Sequence, residues 1–127
     1  MKMPRPFSRL LFTTMAPCVL LGFSLHEAPG AHAADQPRRI EVTARRFAFS
    51  PAEITVKKGE PVVLALHSED VTHGLRVPEL NIQAEIPKGS VAEVPFTAAT
   101  VGDFSGRCGH FCGEQHGSMT FKVHVTE

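Results

Sequence analysis

The sequence predicts an all-β fold, a small Greek-key antiparallel β-sandwich. Two observations support this class. Short apolar runs alternate with polar residues at the period-two spacing of half-buried strands, and turn residues separate these runs about every ten residues. No stretch shows the periodicity of an amphipathic helix. The length, 127 residues, allows one such domain.

The first strands are predicted in two segments near the start of this domain. In RRIEVTARRFAFSP, residues 38–51, apolar and polar residues alternate from Ile40 onward. ITVKKGEPVVLALHS, residues 54–68, contains two apolar runs on either side of a turn at Lys58-Gly59. Glycine in a short polar stretch between two apolar runs is typical of a turn between strands. We therefore expect at least three strands before residue 69.

Later strands follow the same pattern. In the second run of the 54–68 segment, Val62, Leu64 and Leu66 share one face, as expected for a strand that covers a core. GSVAEVPFTA, residues 89–98, predicts another strand. The last strand has the cleanest alternation, with Phe121, Val123 and Val125 on one face. Successive short strands of this kind indicate two packed sheets.

The N-terminal segment has the features of a secretory signal. Basic residues precede an apolar stretch at residues 10–25, and Ala31 and Ala33 form a small-x-small cleavage site. We expect residues 1–33 to be a signal peptide and residues 34–127 to be the exported domain, in the periplasm or otherwise outside the cytoplasm. The alternative is that residues 10–25 remain as a membrane anchor, although this stretch is shorter than the roughly 20 residues of a spanning helix.

Charge and cysteine content narrow the class of protein. The chain has 13 basic and 13 acidic residues, so its formal net charge is zero, and no basic patch indicates nucleic-acid binding. Residues 34–127 contain 10 basic and 12 acidic residues, a net charge of −2. Without Cys18 of the signal peptide, only Cys108 and Cys112 remain. In an oxidising compartment such thiols form disulfides or bind metal.

CGHFCGEQHGSM, residues 108–119, carries two cysteines, two histidines and a methionine. The spacing of the cysteines differs from the C-x-x-C of haem attachment and of thioredoxin-type couples. A disulfide between Cys108 and Cys112 is possible but leaves His116 and Met119 without a role. Zinc could bind both cysteines, His116 and a further histidine, and would not need the thioether. Copper could use all of these donors.

A copper site also requires an imidazole from elsewhere in the chain. Mononuclear blue-copper sites combine two histidines, one cysteine and a weak axial methionine. His73, followed by Gly74, lies just beyond a predicted strand. We call residues 108–119 the cysteine loop. In a Greek-key sandwich we expect this loop and the loop that carries His73 to lie at the same end. These residues leave open a mononuclear site that uses Cys112 and not Cys108, and a site for two metals that uses both thiolates.

Two segments resemble a known family. DVTHGLRVPEL, residues 70–80, and CGHFCGEQHGSM, residues 108–119, are similar to the dinuclear copper (CuA) domain of cytochrome c oxidase subunit II, and the same centre occurs in nitrous oxide reductase. The resemblance covers nearly all of residues 38–127. It implies a cupredoxin-like form of the sandwich. Because oxidase subunits of this family also carry a transmembrane hairpin and a Trp for electron entry, which this sequence lacks, we expect a soluble, stand-alone copper domain.

The resemblance also implies a set of metal ligands: His73, Cys108, His110, Cys112, His116 and Met119. The two cysteines would bridge two copper ions. His73 and His116, the two outer histidines, would each bind one of these ions. Met119 would be a weak axial ligand to one copper, and the main-chain carbonyl of His110 would be the weak ligand to the other. An imidazole at position 110 could itself take a metal, so an altered site stays open.

The expected function is one-electron transfer by a domain that is not a catalyst by itself. The expected redox partner is a c-type cytochrome or a terminal oxidase, and electrons are expected to pass through His116. Two alternatives remain: a copper carrier that delivers metal, and the mononuclear cupredoxin. Four acidic residues are candidates for a docking face toward a basic cytochrome, or for ordinary solvated surface: Glu69, Asp70, Glu79 and Glu85.

Overall fold

The computed structural model describes residues 36–127. The predicted signal peptide and the alternative membrane anchor lie outside these residues. Within the described part of the chain, no helix has the length and apolar character that a membrane crossing requires. The regular elements are strands and two single-turn 3-10 helices, Pro78–Leu80 and His116–Ser118. The strands are β1 Arg38–Arg45, β2 Ala48–Ser50, β3 Glu53–Lys57, β4 Pro61–Ser68, β5 His73–Val77, β6 Ile82–Ile86, β7 Val91–Thr97, β8 Gly102–Arg107 and β9 Thr120–Thr126.

The strands form two sheets, which confirms the predicted all-β sandwich. One sheet has the order β2-β1-β4-β7 and the other the order β3-β9-β8-β5-β6. The prediction of purely antiparallel sheets needs one refinement, because β1 pairs in parallel with β4, and β3 in parallel with β9. No hairpin joins either of these pairs. The chain passes through other strands between their members, and this leaves them free to run in the same direction.

The predicted apolar faces meet between the two sheets. Leu64 and Leu66 of β4 are buried, and so are Phe121 and Val123 of β9. Phe49 of β2 packs edge-to-face on Phe121 across the sandwich, with ring centroids 5.6 Å apart. The alternation in sequence therefore corresponds to burial in the structure, as the pleat of a strand requires.

One end of the sandwich brings distant parts of the chain together. The connection from β4 to β5 and the connection from β8 to β9 both lie there, because β5 and β8 are neighbours in the second sheet. His73 is the first residue of β5 and pairs with Ile86 of β6. It therefore belongs to a strand and not to the preceding loop. The cysteine loop follows β8 directly.

Candidate metal centre

The cysteine loop closes on itself through main-chain hydrogen bonds. The N–H of Cys108 donates to the carbonyl of Met119 over 2.9 Å, which ties the two ends of the loop together. Within it, the N–H of His116 donates to the carbonyl of Gly113 over 3.1 Å, and the N–H of Met119 donates to the carbonyl of His116 over 3.2 Å. These bonds hold the candidate ligands near one another without any metal.

Three soft donor groups converge at the base of this loop. One ligand atom each from His73, Cys108 and Cys112 lies within 4.8 Å of the other two, and all three residues are buried. The two sulfur atoms are 3.8 Å apart and both cysteines are free. The arrangement therefore presents two thiols and an imidazole to one small volume, separated from solvent.

Both outer histidines present an unpaired ring nitrogen. Among residues 36–127, the Nδ1 atoms of His73 and His116 are the only buried side-chain nitrogens or oxygens without a hydrogen-bond partner. Buried polar atoms are nearly always paired, so each such exception calls for an explanation. A metal ligand is one, because a neutral imidazole nitrogen can bind a metal while the other nitrogen is hydrogen-bonded. His116 lies outside the 4.8 Å group of the first three donors.

The two remaining predicted ligands also occupy suitable positions. The main-chain carbonyl of His110 accepts a hydrogen bond from the Cys108 thiol over 3.1 Å, while the residue itself is exposed. Met119 is fully buried. The carbonyl of His110, and not its imidazole, is thus the atom known to approach the thiol. The assignment of all six ligands stays a prediction.

Asp70 fixes the orientation of His73. Its Oδ1 lies 2.7 Å from Nε2 of His73, and its carboxylate also accepts the main-chain N–H groups of Arg46 and Val71. Partial burial acts to raise the pKa of Asp70, but these hydrogen bonds to the charged form outweigh it and lower the pKa to about 2. The ionised carboxylate holds the proton of His73 on Nε2 and leaves Nδ1 free for a metal.

Arg46 is a supporting residue that could not be selected from the sequence. Its side-chain Nε donates to the main-chain carbonyl of Cys112 over 2.8 Å, and its main-chain N–H bonds to Asp70. It therefore connects the cysteine loop to the carboxylate that orients His73. No motif marks this residue in the sequence, because the loop after β1 and the cysteine loop are 66 residues apart.

The Cys112 thiol is held in its neutral form in the absence of a metal. Burial chiefly, and the neighbouring Cys108 in addition, raise the pKa of Cys112 to about 11 against a lowering effect of Arg46. Metal binding must therefore displace a proton, as is general for thiolate ligands. The donor set of two thiols, two unpaired imidazole nitrogens, a thioether and a carbonyl fits copper, which accepts sulfur and imidazole ligands together.

The chain belongs to the family of cupredoxin-like domains, whose pattern matches residues 14–121. Within this class it is homologous to subunit II of cytochrome c oxidase. It is 33% identical over 88 residues to cytochrome c oxidase subunit 2 of Thermus thermophilus, an alignment that covers 69% of this chain and 65% of the relative. It is 34% identical over 90 residues to the nitrous-oxide reductase of Cupriavidus necator, which covers 68% of this chain and 14% of the reductase.

Solved structures show the same fold. The periplasmic domain of subunit II of cytochrome oxidase from Bradyrhizobium japonicum superposes with a TM-score of 0.66 at 21% identity, covering 74% of this chain and 86% of that domain. A chain of a haem-copper terminal oxidase dimer superposes with a TM-score of 0.64 at 26% identity, covering 76% of this chain and 67% of that chain. The resemblance to oxidase subunit II is therefore confirmed. The chain spans less than two thirds of the length of each of the two curated relatives, the Thermus thermophilus subunit and the Cupriavidus necator reductase.

Proposed function

We propose that this domain carries single electrons through a dinuclear copper centre outside the cytoplasm. One observation supports this most strongly. Two free, buried thiols lie 3.8 Å apart, beside histidines that have the only unpaired buried side-chain nitrogens in residues 36–127. Two adjacent thiolates are what a pair of bridged metals requires, whereas a mononuclear cupredoxin site needs one.

The ligand roles proposed from the family fit the contacts around the site. Cys108 and Cys112 would bridge the two ions, and His73 and His116 would each bind one through Nδ1. Met119 and the main-chain carbonyl of His110 would be the weak ligands. Bound copper supplies a one-electron couple. The protein contributes a site whose donor groups are held in place beforehand by the main-chain hydrogen bonds of the cysteine loop and by the contact between Asp70 and His73, so that little has to move when the charge changes.

The homologous proteins are oxidase subunits and nitrous-oxide reductases, which supports a redox partner of the same kind. We propose that a c-type cytochrome or a terminal oxidase exchanges electrons with this domain. The domain would have no catalytic activity of its own, since the proposed donors are all occupied by the metal. Its export would depend on the predicted signal peptide, residues 1–33.

The deciding experiment measures the metal content and the EPR spectrum of the oxidised protein. Two coppers per chain and a seven-line hyperfine pattern are expected, because one unpaired electron shared by two equivalent copper nuclei gives seven lines. Cys108→Ser and Cys112→Ser should each abolish this pattern. Glu114→Gln, in the same loop but exposed and not a proposed ligand, is the matched control and should keep it.

Other results would contradict the proposal in distinct ways. One copper with a four-line pattern would indicate the mononuclear site, and bound zinc would indicate a structural site. Rapid transfer of the copper to a metal-free acceptor, within minutes, would indicate a carrier. A stable centre that can be reduced and reoxidised repeatedly without loss of metal is the expected result.

A further inference from the structure

Two arginines lie side by side next to the candidate metal centre. Arg76 of β5 and Arg107, the last residue of β8, are directly opposite each other in the antiparallel pairing of these strands. Both are exposed. Residues in this relation have Cβ atoms about 4.5–5.5 Å apart, and like charges so placed destabilise a sheet. A pair of this kind is therefore not explained by the stability of the fold.

Within residues 36–127, neither arginine forms an ion pair that would offset this repulsion. Within the described residues, no carboxylate oxygen lies within 4.0 Å of either guanidinium. Elsewhere on the same domain the arrangement is different, because Arg39 contacts both Glu41 and Glu93. The two positive charges beside the cysteine loop are thus available to an external anionic group.

The arginines border the place where electrons are expected to pass. Both line a shallow depression together with Cys108 and His116. Phe111 also lies next to His116: it is 71% exposed, and its ring centroid is 5.4 Å from that of His116. We call the surface formed by Arg76, Arg107, Phe111 and His116 the arginine face.

Three of the four acidic residues that are candidates for a docking face lie near the centre, but within residues 36–127 none of them forms an ion pair with Arg76 or Arg107. Asp70 is occupied by its hydrogen bonds to His73 and to two main-chain N–H groups. Glu79 and Glu85 line depressions that Arg76 also lines, but neither comes within salt-bridge distance of it. Residues 34–127 carry a net charge of −2. The arginine face is therefore a local positive surface on a domain that is weakly negative as a whole.

We propose that the arginine face docks an acidic surface of the redox partner, with carboxylates opposite Arg76 and Arg107 and an apolar contact on Phe111. This proposal rests on the proposed function, since it identifies the partner that exchanges electrons through His116. A small apolar centre with a charged rim is typical of specific but transient interfaces. Complementary charge chiefly increases the rate of association and makes that rate sensitive to salt.

The test uses one cytochrome in two charge states. The probes are a lysine-rich cytochrome c and the same protein after succinylation, which converts its ammonium groups to carboxylates. Binding is measured by NMR shift perturbation of the Arg side-chain Nε–H resonances, and electron exchange by stopped flow at low and at physiological ionic strength. The variant is Arg76→Gln/Arg107→Gln. The control is Lys57→Gln/Lys58→Gln, which changes the net charge equally and lies at the turn before β4, at the other end of the sandwich.

We expect the succinylated probe to shift the Arg76 and Arg107 signals and to react faster than the native probe at low salt. Electrostatic steering changes association rates by about 10–1,000-fold, so the rate with the succinylated probe should fall at least tenfold in the arginine variant. It should stay within twofold in the lysine control. The EPR spectrum of the copper centre should be unchanged in both variants.

Several outcomes would overturn the proposal. Faster reaction and stronger binding with the native, lysine-rich probe would show that the partner face is basic. A changed reduction potential in the arginine variant without a changed salt dependence would mean that the arginines only tune the centre. Binding of vesicles rich in anionic lipid, without binding of the succinylated probe, would assign the face to a membrane. NMR binding to the arginine face without electron exchange would support docking and count against the proposed function alone.

Discussion

Asp70 is the residue on which the geometry of the candidate centre most depends. Its carboxylate accepts hydrogen bonds from the ring Nε2 of His73 and from the main-chain N–H groups of Arg46 and Val71. Through Arg46 it is also connected to the main-chain carbonyl of Cys112. A single ionised side chain thus holds one imidazole and one end of the cysteine loop in position. Groups that orient a ligand in this way affect metal affinity although they do not touch the metal.

Asp70→Asn is expected to lower copper affinity by about 10–100-fold, the usual effect of losing the partner of a metal-binding histidine. The amide can still accept a hydrogen bond, but it has no charge to favour the tautomer with its proton on Nε2. Competition with a chelator of known affinity measures the change. Glu69→Gln is the matched control, because Glu69 is exposed and, among the described residues, only its main-chain N–H makes a hydrogen bond, to Ala44. Equal affinities for the two variants would contradict this role.

At the scale of elements, the cysteine loop packs directly onto β5. A Cβ atom at Gly74 would lie 2.9 Å from the main-chain nitrogen of His110 and 3.2 Å from the carbonyl oxygen of Ala84. Both neighbours are main-chain atoms, so neither can move aside cheaply. The residue that follows the candidate ligand His73 must therefore lack a side chain if the loop is to approach this closely.

Gly74→Ala is expected to push the cysteine loop away from β5. Overpacking of this kind costs about 1–3 kcal/mol of folding stability, and it should also alter the EPR and optical spectra of the copper-loaded protein. Urea unfolding of the metal-free protein measures the first effect. Gly117→Ala is the control within the same loop, since a Cβ there meets no atom within 4 Å. Similar losses in both variants would refute the steric explanation.

A cross-strand cluster at the surface joins three strands of the second sheet. Nδ1 of His124, on β9, lies 2.5 Å from Oδ1 of Asp103 on β8, and its Nε2 lies 3.3 Å from Oε2 of Glu53 on β3. Asp103 chiefly, and Glu53 to a lesser extent, raise the pKa of His124. The hydrogen bond to His124 in turn lowers the pKa of Glu53. This histidine therefore bridges two carboxylates at the surface.

This cluster makes stability depend on pH in a defined window. The folded pKa of His124 exceeds the unfolded value of about 6.5, so its contribution is fully present below that pH and is lost as pH rises through the folded pKa. The melting temperature of the native protein should therefore exceed that of His124→Gln more at about pH 5.5 than at about pH 8.5. Asp103→Asn should show the same loss. A difference that grows with pH would contradict the assignment.

The sequence predicted the elements with regular alternation and missed those without it. The strands around Leu64 and Val123 have an unbroken apolar face and were predicted. Strand β8, GDFSGR, was not, because two glycines and several polar residues hide its pattern. Gly106 is required there, since a Cβ would lie 2.6 Å from Val77 of the neighbouring strand. Because β5 and β8 approach each other so closely, β8 has a glycine where an apolar side chain would otherwise have indicated a strand.

Only part of the candidate site could be predicted from the sequence, because its residues differ in how far apart they lie along the chain. Cys108, Cys112 and His116 lie in one short segment, and their residue types are uncommon enough to indicate a metal site. Arg46 and Asp70 support the site through hydrogen bonds that span different loops. Such partners depend on how β1, β4 and β8 end near one another, and local sequence carries no information on that.

For the molecule as a whole, the apolar core and the candidate centre are continuous. Cys108, Cys112 and Met119 belong to the same buried cluster as Leu64 and Val123. A domain of about 90 residues buries only roughly 60–70% of its unfolded surface, so its stability is modest. A metal held by residues of the core should therefore stabilise the entire sandwich and not the cysteine loop alone.

We expect the metal-free domain to fold and copper to raise its melting temperature. Free metal at about 100 times its dissociation constant adds about 2.7 kcal/mol, which corresponds to roughly 10–20 °C for a domain of this size. Calorimetry with and without copper measures the shift, each protein being compared with its own metal-free form. Cys108→Ala should lose most of it, because a missing thiolate removes a buried ligand. An equal shift in that variant would place the metal elsewhere, and a metal-free chain without sandwich structure would mean that the core depends on the metal to form.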